Sequence, residues 1–246
     1  PAPARRRQHG IDLNLHQAIT GRGLHSRAPF FLEFGMLLEC TDMISSPWWH
    51  FQCSRVYALL RRYDRAADEL RSALQIDSSY VRAISALGFL HAKLGRHQLA
   101  IEQFQHALKL SPDNAVLLFD LGYVYHLRKD YAQAVEAFES ALRLDPNIDR
   151  AWYGLGLALV SLERHEEAAA AFERAAKLQP MNPHAWYELG MASATLNRPA
   201  RLAEVIAHLD RFDPKMAAHL TRATQKSTSA LSDATRPTAA DAVPGA

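Results

Sequence analysis

Twelve histidines give this chain of 246 residues its clearest potential for metal or acid–base chemistry. A helical metal site needs two of them one turn apart, as in His-x-x-x-His, with a carboxylate in reach. No such pair occurs within a helical pattern. Six histidines are spread along the chain, mostly at places that helical spacing puts on the surface: His91, His97, His106, His126, His165 and His184. We therefore expect solvated histidines, with no metal site and no cofactor.

Nucleophiles and phosphate-binding loops are also missing from the sequence pattern. Cys40 and Cys53 are too few for a disulfide framework, and their spacing matches no zinc pattern. We expect them to be reduced thiols that act as small apolar side chains. Gly122 and Gly156 are single glycines within helical patterns, not a loop that cradles phosphate. No serine lies in a nucleophile elbow. The sequence therefore predicts a protein that is not an enzyme.

Charge and hydropathy exclude two further classes of partner. Lys and Arg number 28 against 26 Asp and Glu, which gives a formal net charge of +2. Nucleic-acid binding needs concentrated positive charge, so nucleic acid is not an expected partner. The most apolar stretch, Phe30 to Leu38, contains Glu33 and is shorter than the roughly 20 residues that cross a bilayer. We expect a soluble, cytoplasmic chain without membrane insertion.

The sequence contains an internal repeat, and the repeated units define the secondary structure that would position any functional residue. Proline recurs every 34 residues, and glycine, alanine and phenylalanine keep the same period. The repeated positions are Pro112, Pro146, Pro180 and Pro214; Gly88, Gly122, Gly156 and Gly190; Ala100, Ala134 and Ala168; Phe104, Phe138 and Phe172; Ala107, Ala141 and Ala175. Such a period is typical of stacked structural repeats. The units span residues 47–80, 81–114, 115–148, 149–182 and 183–216.

Each unit carries the pattern of two antiparallel helices. In unit 149–182, apolar residues keep helical spacing through both halves. Gly156 and Ala168 are expected where the two helices approach closely. They are small because a larger side chain there would overpack the pair. Pro180 ends the second helix, because its ring clashes with the helical backbone and it has no N–H. The pattern predicts an all-α stack of helical hairpins.

The repeated residues closely resemble the tetratricopeptide repeat (TPR). Unit 149–182 has its Trp, Leu-Gly, Ala, Phe, Ala and Pro at Trp152, Leu155-Gly156, Ala168, Phe172, Ala175 and Pro180. The resemblance covers about residues 47–216 and weakens in the end units. Cys53-Ser54 replaces Leu-Gly in the first unit, and Leu202, Ile206 and Leu209 replace small and aromatic residues in the last. The resemblance implies an all-α, right-handed superhelical solenoid of about five hairpins with flexible ends.

The N-terminal residues do not follow the repeat. We expect residues 1–28 to be loose, and residues 29–46 to form a helix packed on the array, because their apolar content is high. One alternative is that this apolar segment docks on the concave face or on a partner. Another is that the natural start lies near Met36 or Met43.

The C-terminal residues are expected to cap the array and then lose order. A capping helix is predicted over residues 217–226. Met216 and Leu220 lie four residues apart, so both can cover the last hairpin. Residues 227–246 consist mainly of Ser, Thr, Ala and Pro without periodicity, which predicts a disordered tail.

In the resembled family, the first helix of each pair lines a concave groove, so the resemblance implies a binding surface at fixed places in the unit. The predicted groove residues are Phe51, Arg55, Arg82, Phe89, Lys93, Phe119, Tyr123, His126, Arg150, Tyr153, Leu157, His184, Tyr187 and Met191. Phe51, Phe119, Tyr153 and Tyr187 share one place and are expected to form an aromatic ladder, which Ser85 interrupts. Dedicated recognition by this ladder and generic packing between hairpins are both open interpretations.

The groove residues also indicate the character of a partner. Cations outnumber carboxylates among the candidates: Arg55, Arg82, Lys93 and Arg150 against Asp120 and Glu188. A partner segment with apolar anchors and some acidic residues suits such a groove. Family members that grip the carboxylate tail of chaperones use Lys and Asn at groove places where this chain has other residue types. A chaperone-tail adaptor is therefore not expected.

Three functions follow as hypotheses. The preferred one is a scaffold or adaptor that binds a peptide segment of a partner protein in the groove, because stacked hairpins offer an extended concave surface. The alternative is a regulatory or substrate-selecting part of an enzyme assembly, such as a glycosyltransferase system, whose catalytic part lies elsewhere. The third is self-association through the last repeat, whose Leu202, Val205, Ile206 and Leu209 are expected to be exposed. The partner's identity, the pathway and the oligomeric state do not follow from the sequence.

Overall fold

The computed structural model describes the backbone of residues 46–234 and the side chains of residues 46–225. This part of the chain consists of eleven α-helices and contains no strand. They are α1 Pro47–Leu59, α2 Tyr63–Ile76, α3 Val81–Lys93, α4 His97–Leu110, α5 Ala115–Arg128, α6 Tyr131–Leu144, α7 Asp149–Ser161, α8 His165–Leu178, α9 Pro183–Thr195, α10 Pro199–Asp210 and α11 Pro214–Ala234. The loose segment predicted over residues 1–28 and nearly all of the helix predicted over residues 29–46 lie outside the described residues.

The first ten helices pair into five hairpins, one in each predicted unit. The second helix of each hairpin packs on the first helix of the next hairpin. In addition, α3 contacts α5, and α5 contacts α7. The predicted all-α helical solenoid of repeats is therefore confirmed. The first helices of the hairpins lie along one face of the stack, and the second helices lie along the opposite face.

The recurring Gly and Phe residues hold each hairpin together. The rings of Phe104, Phe138 and Phe172 are at most 1% exposed. A Cβ atom added at Gly156 would lie 2.5 Å from the Phe172 ring, and one at Gly122 would lie 2.8 Å from the Phe138 ring. The aromatic ring therefore packs directly on the helix backbone of its hairpin partner. This close approach explains why glycine and phenylalanine share one period.

A hydrogen bond joins the turn before a repeat to that repeat's first helix. The indole N–H of Trp152 donates to the carbonyl of Pro146 at 2.8 Å, and Trp186 makes the same bond to Pro180 at 2.8 Å. Each tryptophan thus satisfies a carbonyl at the point where proline has ended the preceding helix. Neighbouring hairpins are linked by this bond as well as by packing.

The last hairpin is covered, which corrects the expectation that its apolar face is exposed. Val205 and Leu209 are 1% and 0% exposed, and Leu202 and Ile206 are half-buried. Helix α11 packs on both α9 and α10. Leu220 of α11 is fully buried and lies 2.4 Å from a Cβ atom placed on Gly190. It occupies the place that phenylalanine fills in the middle hairpins, so the last unit needs no phenylalanine of its own.

Helix α11 is longer than the predicted capping helix. It runs from Pro214 to Ala234, beyond the expected end at residue 226 and into the segment expected to be disordered. Residues 227–234 contain two alanines and a leucine, which are good helix formers, and no proline stops the helix before Pro237. The rest of the predicted tail, residues 235–246, lies outside the described residues. None of the helices in the described part is long and apolar enough to cross a membrane.

Candidate functional site

The four aromatic residues that were predicted to form a ladder on the first helices each pack against another ring. Phe119 lies 6.0 Å from Phe138 and Tyr153 lies 5.8 Å from Phe172, measured between ring centroids. Phe51 packs edge-on against Tyr80 at 5.8 Å, and Tyr187 stacks on His219 at 5.2 Å. All four rungs are half-buried. One side of each ring therefore packs within the solenoid, and the remaining surface is exposed.

A second row of predicted groove residues lies one helical turn further along, and its first two aromatic members are more exposed. Phe89 and Tyr123 occupy the same place in successive units and are 55% and 45% exposed. Leu157 and Met191 follow at this place and are half-buried. The rings of Phe89 and Tyr123 therefore offer more exposed aromatic surface than the four half-buried ladder residues.

The first two repeats enclose a pocket that we call the amino-terminal pocket. It has a volume of about 330 Å³ and brings together five of the predicted groove residues. They are Phe51, Arg55, Arg82, Phe89 and Lys93. Tyr63 of α2 also lines the pocket, and Asp120 of α5 contributes to its wall from the third repeat. Sequence reasoning missed Tyr63, because it lies on a second helix, where the resemblance implies no groove residue.

The three cations of this pocket have no acidic partner among the described residues. Within residues 46–225, Arg55, Arg82 and Lys93 form no ion pair. Arg55 donates to the Gln52 side chain at 3.0 Å, and the Lys93 ammonium lies 5.3 Å from the centre of the Tyr63 ring. Both contacts are to neutral groups. Within the described residues, no ion pair neutralises the charge of these three cations.

Asp120 and Arg150 lie at the middle of the array. The guanidinium carbon of Arg150 is 5.2 Å from the centre of the Phe119 ring, a cation–π contact. Burial raises the pKa of the Asp120 carboxyl to about 6, although the positive charge of Arg150 opposes this shift. Desolvation disfavours the ionised form, so Asp120 gains a proton in a pH range where an ordinary aspartate stays charged.

A second, more open pocket lies where α9 meets α11. Its volume is about 510 Å³, and it contains the predicted groove residues His184 and Tyr187. Glu188, Lys215 and His219 also line it. Burial raises the pKa of the Glu188 carboxyl, and His184 partly opposes this shift. Its charges are mixed, so this pocket has no clear preference for one sign of ligand.

Two histidines differ from the expected surface positions. His91 is only 8% exposed, and burial lowers its pKa, with further lowering by Arg96 and Arg71. His126, predicted in the groove, is half-buried and packs edge-on against Tyr131 of its own hairpin at 5.5 Å. Across the described residues, no group of three His, Cys, Asp or Glu side chains has the geometry of a metal site.

Comparisons with known proteins agree with this architecture. Sequence models of the tetratricopeptide repeat match residues 80–147, 128–180 and 153–217. No curated protein sequence matches the chain. Among solved structures, YrrB, a TPR protein with an unusual peptide-binding site, is 20% identical with a TM-score of 0.61, over 77% of this chain and 97% of its own.

Two further solved structures have the same fold. MamA from Desulfovibrio magneticus RS-1 is 22% identical with a TM-score of 0.61, over 72% of this chain and 96% of its own. The pilF protein of Pseudomonas aeruginosa is 21% identical with a TM-score of 0.64, over 76% of this chain and 87% of its own. The chain therefore belongs to the tetratricopeptide-repeat family, and its repeats form a protein-interaction scaffold.

Proposed function

We propose that this chain is a non-catalytic adaptor that binds a segment of a partner protein along the groove formed by its first helices. The observation that carries the proposal is the amino-terminal pocket, where Arg55, Arg82 and Lys93 surround apolar walls without acidic partners among the described residues. Unpaired cations beside an apolar cavity stay hydrated in the free protein, and they favour a partner segment of complementary charge by orienting it and speeding its association.

The fold supports this use of the groove. Stacked hairpins present residues from successive repeats on one continuous surface, so an extended segment contacts several repeats at once. YrrB shares the fold and has a peptide-binding site, so a solenoid of this kind is able to hold a peptide. We also propose a cytoplasmic location, on the composition of the chain alone.

The expected partner is apolar with some acidic residues. Phe89 and Tyr123 offer exposed aromatic surface at neighbouring places in the groove. Large apolar side chains of a partner bury area against such rings, while carboxylates pair with the groove cations. Most of the affinity should come from a few such anchors rather than from the whole length of the groove.

The test is capture of partners from a lysate of the source organism by the wild-type chain and by two matched double variants. Phe89→Ala/Tyr123→Ala removes exposed rings from the groove. Leu110→Ala/Leu144→Ala removes side chains that are 43% and 45% exposed at the ends of two second helices. Circular dichroism first establishes that both variants keep the wild-type helicity.

The proposal expects a partner that the wild type and the Leu110/Leu144 variant retain and that the Phe89/Tyr123 variant loses. Retention by all three proteins, or loss only with the Leu110/Leu144 variant, would place the binding surface elsewhere. A stable complex with a transferase that ignores the groove variant would favour the regulatory part of an enzyme assembly instead.

A further inference from the structure

We propose that the amino-terminal pocket is the specificity element of the groove and selects a side-chain carboxylate that stands next to a large apolar side chain in the partner segment. This inference rests on the proposed adaptor function and deepens it. It assigns the two halves of the ligand to two parts of one pocket.

The apolar half of the ligand fits the walls of the pocket. Ala58 and Leu70 of the first hairpin and Ala86 and Leu90 of α3 line the pocket, together with the rings of Phe51 and Phe89. The volume of about 330 Å³ lies at the lower end of the range for ligand pockets. Such a cavity holds one or two side chains rather than a folded surface, so an extended segment is the fitting occupant.

The charged half of the ligand fits the cations around the same cavity. Arg55 projects from α1, and Arg82 and Lys93 project from the two ends of α3, so the cations surround the apolar walls. All three lack an ion-pair partner among residues 46–225. Asp120 is the single carboxylate in the wall. Its presence suits a singly charged carboxylate better than a phosphate dianion, which it would repel more strongly.

The sequence restricts this arrangement to the first two repeats. At the place of Lys93, the later units have Leu127, Ser161 and Thr195. At the place of Arg55, the following units have Phe89, Tyr123, Leu157 and Met191. No other pair of adjacent units within residues 47–216 places three cations together at these positions. The carboxylate of a bound segment is therefore fixed at one end of the groove, which also fixes the register of the segment.

The experiment uses a displayed library of random peptides selected against the whole chain. Peptides are selected in parallel against Arg82→Gln/Lys93→Gln, which removes two pocket charges but keeps polar side chains of some length. The matched control is Arg65→Gln/Lys109→Gln, which removes two exposed cations from the second helices α2 and α4. A peptide enriched by the wild type is then synthesised, and its Kd is measured by fluorescence anisotropy.

The proposal expects enriched peptides in which Asp or Glu stands beside Phe, Leu or a similar residue. The Kd of such a peptide rises about tenfold for the Arg82/Lys93 variant and stays near the wild-type value for the Arg65/Lys109 control. Changing the peptide's Asp to Asn weakens binding to the wild type by a similar factor. The same peptide change weakens binding to the Arg82/Lys93 variant little further, because the peptide change and the protein change remove the same interaction. High salt reduces the difference in Kd between the wild type and the Arg82/Lys93 variant.

Three results would overturn the assignment while leaving the adaptor function in place. One is enrichment without acidic residues but with loss of binding in the Phe89/Tyr123 variant. Another is that the losses of affinity from the peptide's Asp-to-Asn change and from the Arg82/Lys93 variant add together. The third is binding that depends on the peptide's free C-terminal carboxylate, shown by loss on amidation. Failure of the wild type to enrich any peptide would count against both the pocket and the groove as peptide sites.

Discussion

Replacing glycine by alanine at the repeated hairpin position tests the packing that builds the solenoid. In an open helix this change stabilises by about 1 kcal/mol, because alanine has the higher helix propensity. In this fold the new methyl group meets the ring of the second helix, and overpacking costs about 1–3 kcal/mol. The clearance from the added Cβ atom differs among units: 3.2 Å at Gly88, 2.8 Å at Gly122 and 2.5 Å at Gly156.

The helix-propensity gain is the same at all three positions, so the clearance decides the order of stability. Gly88→Ala should leave the free energy of unfolding within about 1 kcal/mol of the wild type, because its neighbours need to move only a few tenths of an ångström. Gly156→Ala should lower the free energy of unfolding by about 1–2 kcal/mol, because the Phe172 ring is fully buried and has no space to withdraw. Gly122→Ala should fall between them.

Urea denaturation followed by circular dichroism measures these differences as shifts of the transition midpoint. Phe172→Leu in the Gly156→Ala background should recover part of the loss, because the smaller side chain relieves the contact. Equal stabilisation of all three alanine variants would mean that the ring does not press on the backbone, and the explanation of the shared Gly and Phe period would be wrong.

Three further predictions concern the other parts of the molecule. Asp120→Asn should raise stability at neutral pH, because the buried carboxylate disfavours folding when it is ionised. The folded-state pKa of about 6 exceeds the ordinary 3.8, so wild-type stability rises as pH falls from above 6 toward 3.8, and a pH series of urea midpoints should show this rise in the wild type but not in the Asn variant. A chain ending at Asp213 lacks α11 and uncovers Val205 and Leu209, so light scattering should show association that grows with concentration; a monomer at every concentration would contradict the capping role of α11. Trp186→Phe should lower the free energy of unfolding by about 1 kcal/mol, because it removes the indole hydrogen bond to the Pro180 carbonyl; an unchanged urea midpoint would show that packing alone links these hairpins.

The repeat made most of the fold predictable. A position that recurs every 34 residues is seen several times in one sequence, so the roles of Gly156 and Phe172 follow from their period and from the physics of close helix packing. The membership of the family and the all-α solenoid were confirmed for this reason. A segment that occurs only once in the sequence, such as helix α11, offers no repeated pattern from which to predict its structure. The length of α11 and its cover over Val205 depend on a packing partner that has no counterpart in the other repeats.

Several residues that line the amino-terminal pocket were predictable from the sequence, but the electrostatics of the pocket was not. The repeat position identified the pocket residues Phe51, Arg82 and Phe89. It did not show whether nearby carboxylates neutralise the cations, because ion pairs depend on side-chain contacts between helices. His126 shows the same limit, since its ring packs against Tyr131 of its own hairpin, a side-chain contact that the repeat position does not predict.

The most direct test of the adaptor account is site-specific photo-crosslinking in cells of the source organism. A photoreactive amino acid is placed at Phe89 or Tyr123 in the groove, and at Leu110 or Leu144 as controls of similar exposure. The account predicts that one partner protein is crosslinked from both groove positions and from neither control. Crosslinks that arise only from the control positions, or equally from all four, would contradict binding in the groove.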